Sequence, residues 1–565
     1  MSGLAIPGRA AGGGRTGGSG PRPLDLADIQ GNILRPYGRF GFPITRHIFF
    51  NIASAAAGRD FIGLILGAVT SAERWGAIDD ETIGPFVPRP LVALNIGLSY
   101  RGLAALQLPT RTLAGMPEEF IDGMAKRWSI LGDIGPSAPS AWDPIWLAGQ
   151  EETGRQIHIL VSLNAQALQD GTPVPELDES MAMLEQAANV SAGVTRLTGH
   201  RGPNPDFQDA SAIMRRMPDG TVVPTAREHF GFTDGIGDPT FVGQYEPEAE
   251  AVEVIGAGKL VPGNSRWTPL ATGEFILGHP NEAQELPPTA APWAFMRNGT
   301  FMAYRKLHQN LRRFDAYIDA QADFMQHVGG IASRDEARET LLAKMSGRWP
   351  SGIPLEIAPS YAEALALQKT WGDIPAIELK GPARTALETQ RLNAYNRLIT
   401  DFRYNGDIDG ARCPVSAHIR RTNPRDALDP LLTTQGAPAG TSLTNRRRIL
   451  RRGAPYGSST TRDNEGEHGV IFMALCASLF NQFEFVQQQW VHYGASFNVG
   501  NDTDPLVGLR RPGAKFVIAG DTARQSAPFI CANMPQFVET RGGEYFFLPS
   551  LTALRDIAQG SVDPT

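Results

Sequence analysis

One histidine, His418, stands between a small apolar stretch and a group of arginines. Residues 412–425 read RCPVSAHIRRTNPR, so three arginines follow the imidazole within seven positions. An imidazole nitrogen can ligate porphyrin iron, and guanidinium groups pair with propionate carboxylates through charge-assisted, often bidentate hydrogen bonds. The run therefore indicates an iron-porphyrin ligand. The alternative is a structural histidine beside a solvated basic face.

A second stretch, residues 229–241, places a carboxylate on a glycine-rich loop. It reads HFGFTDGIGDPTF, with Asp234 among three glycines and three phenylalanines. Glycine permits tight or positive-φ turns and lets a ligand come close to the backbone. Apolar crowding can tune the pKa of a carboxyl group for proton transfer. The alternative is a turn in which Asp234 only bonds backbone amides.

A third stretch, residues 446–457, is rich in arginine and ends in a turn. In RRRILRRGAPYG, Arg451 and Arg452 follow an apolar pair and precede a glycine. A guanidinium keeps its charge in proteins, so it can stabilise a developing anion. The alternative is a solvated basic loop.

Other catalytic and metal-binding motifs are missing from the sequence. Residues 231–239, GFTDGIGDP, are not the GxGxxG dinucleotide fingerprint, and the sequence contains no P-loop, no HExxH and no GxSxG. Residues 405–410, NGDIDG, resemble the start of a calcium loop, but Ser416 stands where a bidentate glutamate is required. The histidines are not clustered as zinc ligands.

Composition is that of a globular protein without a nucleic-acid or membrane partner. The chain has 565 residues, 42% of them hydrophobic, and a net charge of −7, which argues against nucleic acid and anionic membranes as partners. The three cysteines form no CxxC pair, and no run approaches the roughly twenty apolar residues of a membrane span. We therefore expect a cytoplasmic protein.

Periodicity predicts an α+β fold made of two similar halves. Alternating and continuous apolar runs predict strands, and three- and four-residue spacing predicts the helices between them. Strands are expected at residues 46–52, 90–98, 157–163, 274–277, 299–305, 469–479 and 544–548, and helices at 54–71, 181–192 and 311–327. We divide the chain into a flexible tail (1–23), an N-terminal half (24–260) and a C-terminal half (261–565). Residues 346–412 have little regular apolar pattern and are expected to be an insertion or long connection.

Taken together and in their order, these stretches resemble the dye-decolorizing peroxidases, a haem peroxidase family. The motifs that carry the resemblance are IQGNIL, GFTDGIGDP, GTFMAYRKLHQ, MSGRWPSGIPL, RCPVSAHIRRTNPR, ILRRGAPYG and GVIFMALCASLFNQFEFVQQQW. They extend from residue 24 towards the C-terminus. The chain length and the IQGNIL opening are closer to the larger, fungal-like members.

The resemblance implies two ferredoxin-like halves, with haem b held mainly by the C-terminal half. His418 matches the proximal iron ligand, and Arg425 matches a propionate partner. Phe472, with Val470, falls where the family lines the distal pocket with apolar side chains. Asp504 is our candidate for the acid that orients the proximal histidine.

Asp234 and Arg451 match the distal aspartate and arginine of the family, with Arg452 as the reserve choice. The implied reaction is reduction of hydrogen peroxide and one-electron oxidation of organic donors such as dyes and phenolics. Asp234 would move a proton between the peroxide oxygens, and Arg451 would orient the peroxide and stabilise the products. Which of the two contributes more is left open.

Bulky donors cannot reach a buried haem edge, so the resemblance also implies surface radical sites. Tyr456 and Trp490 occupy such positions, although both could be packing aromatics. Two other readings of the chain stay open: a haem carrier or sensor without efficient turnover, and an α+β binding protein without haem. The physiological reductant and the oligomeric state are not determined by the sequence.

Overall fold

The computed structural model describes residues 23–38, 41–76, 87–151, 153–263, 266–329, 331–380, 383–429, 440–458, 460–500, 502–521 and 527–563. The tail expected at residues 1–23 thus lies, apart from Pro23, outside the described residues. No helix within these ranges combines the length and the apolar character needed to cross a bilayer.

Within the described residues, ten strands form one antiparallel sheet and six short strands form hairpins. The strands are β1 (Ile44–Ile52), β2 (Val92–Leu98), β3 (Ile159–Ala165), β4 (Val194–Arg196), β5 (Gln208–Ser211), β6 (Met214–Arg216), β7 (Val222–Pro224), β8 (Lys259–Leu260), β9 (Trp267–Thr268), β10 (Thr300–Gln309), β11 (Leu450–Arg451), β12 (Ala454–Gly457), β13 (His468–Cys476), β14 (Lys515–Ile518), β15 (Phe529–Ala532) and β16 (Val538–Leu548). The main sheet has the order β11-β13-β10-β16-β2-β3-β1-β4, with β12 beside β13 and β5 beside β1.

Helices cover the sheet and fill the connections between strands. They are α1 (Gly31–Leu34), α2 (Ala55–Ile65), α3 (Tyr100–Ala105), α4 (Thr110–Ala114), α5 (Glu118–Asp122), α6 (Trp128–Leu131), α7 (Pro144–Glu151), α8 (Glu176–Val190), α9 (Pro247–Glu253), α10 (Trp293–Met296), α11 (Leu311–Gly329), α12 (Arg334–Ser346), α13 (Tyr361–Thr370), α14 (Ile374–Leu379), α15 (Ala386–Thr400), α16 (His418–Thr422), α17 (Ser442–Asn445) and α18 (Leu551–Gln559).

The N-terminal part of the sheet is a ferredoxin-like unit, β1-α2-β2-β3-α8-β4. Its strands lie in the order β2-β3-β1-β4, and each neighbouring pair is antiparallel. Ser54 caps α2 by accepting a hydrogen bond from the backbone N–H of Ala57, and the helix buries Phe61, Ile62 and Ile65. This apolar face packs into the main hydrophobic core.

The C-terminal part is centred on β10, which has β13 on one side and β16 on the other. The long helix α11 follows β10 directly and buries Leu311, Phe314 and Ile318, one helical stripe. β16 also lies beside β2, with Phe547 opposite Leu98, so the two parts share one sheet. The predicted α+β class with ferredoxin-like halves is confirmed. The division near residue 260 stays a prediction.

One local prediction is wrong. Residues 274–277 do not form a strand, because Thr272–Glu274 is a 3₁₀ turn and the chain bends after it. Three consecutive apolar residues, 275–277, are too few to distinguish a strand from a buried turn. Residues 346–412, expected to be an insertion or long connection, contain α13, α14 and α15, which the sequence analysis did not predict. The sequence hides these helices because each buries few side chains, such as Ala364 in α13.

Candidate active site

His418 is held by a buried carboxylate. The residue begins α16, and its Nδ1 lies 2.7 Å from Oδ2 of Asp504, whose side chain is fully buried. The other oxygen of Asp504 accepts backbone N–H groups from Leu506 at 2.8 Å and Val507 at 3.0 Å. Asp504 therefore fixes the orientation of the imidazole, and Nε2 is the nitrogen left for a ligand.

Asp504 and His418 shift each other's pKa. Burial by itself lowers the pKa of His418, but the Asp504 carboxylate outweighs burial, so the net pKa is raised. Burial raises the pKa of Asp504, but His418 and the two backbone N–H groups outweigh it, so the net pKa is lowered. Both shifts favour an ionised carboxylate that accepts a hydrogen bond from Nδ1.

Asp234 forms an ion pair with Arg451. Oδ1 of Asp234 lies 2.5 Å from Nη2 of Arg451, which belongs to the short edge strand β11. The backbone of Gly235, with a φ of +82°, turns the loop directly after the aspartate, a conformation that favours glycine. Burial lowers the pKa of Arg451, but Asp234 outweighs it and the net pKa is raised. The Arg451 guanidinium therefore stays positively charged beside Asp234.

Arg452, the reserve choice for the distal arginine, has a structural position. Its side chain is only 3% exposed and forms an ion pair of 2.6 Å with Asp238. It also donates to the backbone carbonyls of Asn32 at 2.5 Å and Ile33 at 2.8 Å, both in α1. Arg451 and Arg452 are consecutive, and only Arg451 is directed to Asp234.

His418, Asp234 and Arg451 line one cavity of about 580 Å³. Val470 and Phe472 are two residues apart on β13, so both face the cavity. Phe483 and Val486 come from two consecutive π-helical segments, Leu479–Glu484 and Val486–Val491, which are unusual structures often found at functional sites. The cavity is thus apolar along much of its wall.

Arg348, Arg425 and Arg448 are buried arginines that line the same cavity, and a fourth, Arg305, pairs with Asp133. The Arg425 guanidinium lies 3.9 Å from the centre of the Phe402 ring and donates to the Phe402 carbonyl at 3.1 Å. Burial, followed by the charge of Arg425, lowers the pKa of Arg348 to about 10 and that of Arg448 to about 9. In the part of the chain that the structure describes, none of the first three arginines pairs with a carboxylate. Uncompensated buried cations indicate an anionic ligand.

Arg348 and Arg448 have no role in the sequence-based prediction, although both lie in motifs that it singles out. Arg348 belongs to MSGRWPSGIPL, and Arg448 is one of five arginines in residues 446–452. The sequence shows that both residues are arginines, but it does not show that their side chains are buried. No spacing rule distinguishes Arg448 from its neighbours, because the run has neither helical nor strand periodicity.

The surface position predicted for Tyr456 and Trp490 is wrong. Tyr456 is 2% exposed and Trp490 is 3% exposed. Tyr456 lies in β12, where Nζ of Lys306 is 4.8 Å from its ring centre. Trp490 packs edge-on against Phe485, with ring centroids 5.5 Å apart. Both rings are buried because their segments pack against the main sheet and the cavity wall.

Comparison with known proteins shows similarity along almost the whole chain. The dye-decolorizing peroxidase AauDyP1 of Auricularia auricula-judae is 28% identical over 544 residues, covering 94% of this chain and 86% of the relative. The multifunctional dye peroxidase DyP2 of an Amycolatopsis strain is 26% identical over 550 residues, covering 94% and 96%. No family model matches the chain.

Solved structures agree. A fungal DyP-type peroxidase from Auricularia auricula-judae is 25% identical with a TM-score of 0.66, and the match covers 95% of this chain and 100% of that chain. Along nearly its whole length the chain is similar to dye-decolorizing peroxidases in both sequence and fold. A dye-decolorizing peroxidase complexed with 2,6-dimethoxyphenol matches with 25% identity, the same coverage and a TM-score of 0.63.

Dye-decolorizing peroxidases are haem enzymes, and the residues present in the cavity fit a haem. One imidazole nitrogen of His418 is left for a metal, and its other nitrogen is held by Asp504. Arg425, Arg348 and Arg448 offer positive charge to the carboxylates of a prosthetic group. Apolar side chains from β13 and the π-helical segments supply the wall for a flat ring.

Proposed function

We propose that the protein reduces hydrogen peroxide at a haem b ligated by His418 and oxidises phenolics and dyes by one-electron steps. The observation that carries the proposal is that the His418–Asp504 and Arg451–Asp234 pairs face the same cavity. When bound, haem supplies the redox-active iron at which peroxide reacts. The protein supplies ligation, charge and access.

On the proximal side, Asp504 orients His418 and increases its basicity. An Nδ1–H that donates to a buried carboxylate leaves Nε2 as the ligating atom and makes the imidazole a stronger donor. Arg425 pairs with a propionate carboxylate, assisted by Arg348 and Arg448. Phe472 and Val470 limit the water that reaches the cavity.

On the distal side, Asp234 and Arg451 share the work on peroxide. The ion pair holds the Asp234 carboxylate in the cavity, where it can accept a proton from one peroxide oxygen and deliver it to the other. The Arg451 guanidinium donates hydrogen bonds to the negative charge that develops when the O–O bond breaks. The reaction needs both groups within reach of one ligand, and the 2.5 Å pair brings them together.

The proposed donors are phenolics and dyes, since one related structure holds 2,6-dimethoxyphenol. We further propose cytoplasmic residence, because Cys413, Cys476 and Cys531 are buried free thiols, which suits a reducing compartment. The net charge of −7 gives no basis for a nucleic-acid partner.

An absorption spectrum before and after one equivalent of hydrogen peroxide tests the proposal. We expect a Soret band that changes rapidly with peroxide, and its loss or shift in His418→Ala. His327→Ala, which removes an exposed histidine, is the matched control and should keep the spectrum. A Soret band that does not respond to peroxide, or one that His418→Ala leaves unchanged, would contradict the proposal.

A further inference from the structure

A second cavity, of about 830 Å³, lies behind the loop that carries Asp234. Thr233, Gly235, Ile236, Gly237 and Asp238 line both this cavity and the site cavity. The two spaces are therefore separated by a single loop of the chain. We call the second space the outer cavity.

The separating loop is thin. Gly235 and Gly237 have φ angles of +82° and +86°, and a Cβ placed on either residue would have no heavy atom within 4 Å. At these two residues the partition consists of backbone alone, and Thr233, Ile236 and Asp238 add side chains to the rest of it. A molecule in the outer cavity would lie one loop away from the haem-binding residues.

The far wall of the outer cavity is aromatic and comes from α13 to α15, the helices absent from the sequence-based prediction. The rings of Trp371 and Tyr395 have centroids 5.7 Å apart at an interplanar angle of 47°. Arg391 covers the Trp371 ring with its guanidinium 4.7 Å from the ring centre. Exposed Val252 and Leu379 add apolar surface. Flat aromatic molecules suit such a wall, because they stack on rings and bury apolar area.

The charged lining of the outer cavity is balanced. Three arginines and three acidic residues line it: Arg215, Arg227, Arg397, Asp238, Glu253 and Glu378. The amide groups of Asn393 and Asn396 are available for polar substituents. Balanced charge gives no net attraction to a sulfonated dye, so this lining favours an uncharged ligand.

We propose that the outer cavity binds an uncharged phenolic electron donor, which is oxidised through the Gly235–Gly237 partition. The inference rests on the proposed peroxidase function. Each of two phenols loses one electron and its hydroxyl proton and leaves as a phenoxyl radical. One hydrogen peroxide takes up the two electrons and two protons and becomes two waters.

The test uses the haem-loaded enzyme and 2,6-dimethoxyphenol. Ferric iron shortens the relaxation times of donor protons that bind near it, so NMR relaxation reports binding independently of turnover. In Trp371→Leu we expect weaker donor relaxation and about a three- to tenfold rise in KM for the phenol. Asn396→Trp, which fills the outer cavity from the surface of α15, should do the same. Trp293→Leu is the control, since Trp293 is equally a tryptophan under an arginine, Arg297, at 5.4 Å.

A sulfonated anthraquinone dye completes the experiment. Its KM should be changed less than twofold by either outer-cavity variant. If the Soret band responds to peroxide but neither variant changes phenol relaxation or KM, the outer-cavity inference is wrong and the proposed function stands. If no variant, nor the parent enzyme, shows a Soret band, the proposed function itself has failed.

Discussion

Asp504 and Asp234 both pair with a basic side chain, but their surroundings suit the different tasks that we propose for them. Asp504 is fully buried and also accepts two backbone N–H groups, so it has no freedom to move with its proton. Asp234 is partly exposed to the cavity, and its partner has a positive charge in every protonation state of the site. An orienting acid and a proton-transferring acid are expected to differ in this way.

The sequence identified the residue types of the site but not their directions. His418, Asp234 and Arg451 came from motif order, and the structure brings them to one cavity. Motif order placed Arg451 ahead of Arg452, and the structure shows that the Arg451 side chain pairs with Asp234 and the Arg452 side chain with Asp238. Consecutive residues of an extended chain point to opposite sides, and nothing in RRG says which side faces the ligand.

Replacing each of these arginines separates a catalytic role from a structural one. We expect Arg451→Leu to slow the reaction with peroxide by about 10²–10³-fold, because a charge-stabilising donor is lost. We expect Arg452→Leu to lower the free energy of unfolding by about 2–5 kcal/mol, because the buried carbonyls of Asn32 and Ile33 lose their donor and the ion pair with Asp238 is lost. Stopped-flow absorbance and chemical denaturation measure the two effects. A larger kinetic effect in Arg452→Leu would reverse the assignment.

At the scale of helices and strands, strong apolar periodicity predicted where an element lies, and weak periodicity did not. The strands β1, β2, β3, β10, β13 and β16 were all found near their predicted positions, because each buries a continuous apolar run. The helices α13 and α15 were not, although each has a capping box, Ser360 with Glu363 and Thr385 with Glu388. These pairs were readable signals of helix starts. The remainder of each helix has no apolar stripe, because few of its side chains are buried.

Strand β1 contains a histidine that should make stability depend on pH. His47 is 1% exposed, its Nδ1 lies 2.8 Å from Oγ of Ser162, and burial lowers its pKa to about 3. In the unfolded chain the imidazole binds a proton as the pH falls through about 6.5, whereas in the folded chain it stays neutral. The free energy of unfolding is therefore highest above about pH 6.5 and decreases as the pH falls. At pH 5 the loss should be about 2 kcal/mol.

Denaturation of the parent protein and His47→Gln at pH 7 and pH 5 measures this contribution. The glutamine can still bond Ser162 but cannot take up a proton in the unfolded state. The stability lost between the two pH values should be smaller in the variant by about 2 kcal/mol. Equal losses in both proteins would show that His47 is not the source.

At the scale of the whole molecule, the two halves are not independent bodies. β16 bridges β10 and β2, and α18 packs against α2 of the N-terminal half. The N-terminal segment is fixed in turn, since Gln30 donates to the carbonyl of Pro549 at 2.9 Å. The sequence predicted two halves from their repeated pattern. It could not predict the shared sheet, because pairing between distant strands has no local signal.

A cavity-creating change in α18 tests this coupling. Leu554 is fully buried, and we expect Leu554→Ala to cost about 2–5 kcal/mol. The temperatures at which the sheet unfolds and haem is released should decrease together. Calorimetry measures the unfolding, and Soret absorbance measures the release of haem. Arg555→Ala, an exposed position on the same helix, should leave both unchanged. Two separate transitions, of which Leu554→Ala lowers only one, would contradict the coupling.

The position of β16 also constrains biosynthesis. Residues 538–548 leave the ribosome long after β2 and β10, yet they occupy the gap between these two strands. Until then, both strands expose unpaired backbone edges, which are templates for pairing with other nascent chains. The sheet therefore cannot be completed before β16 is synthesised, and the yield of folded protein in cells should depend on chaperones that protect those edges.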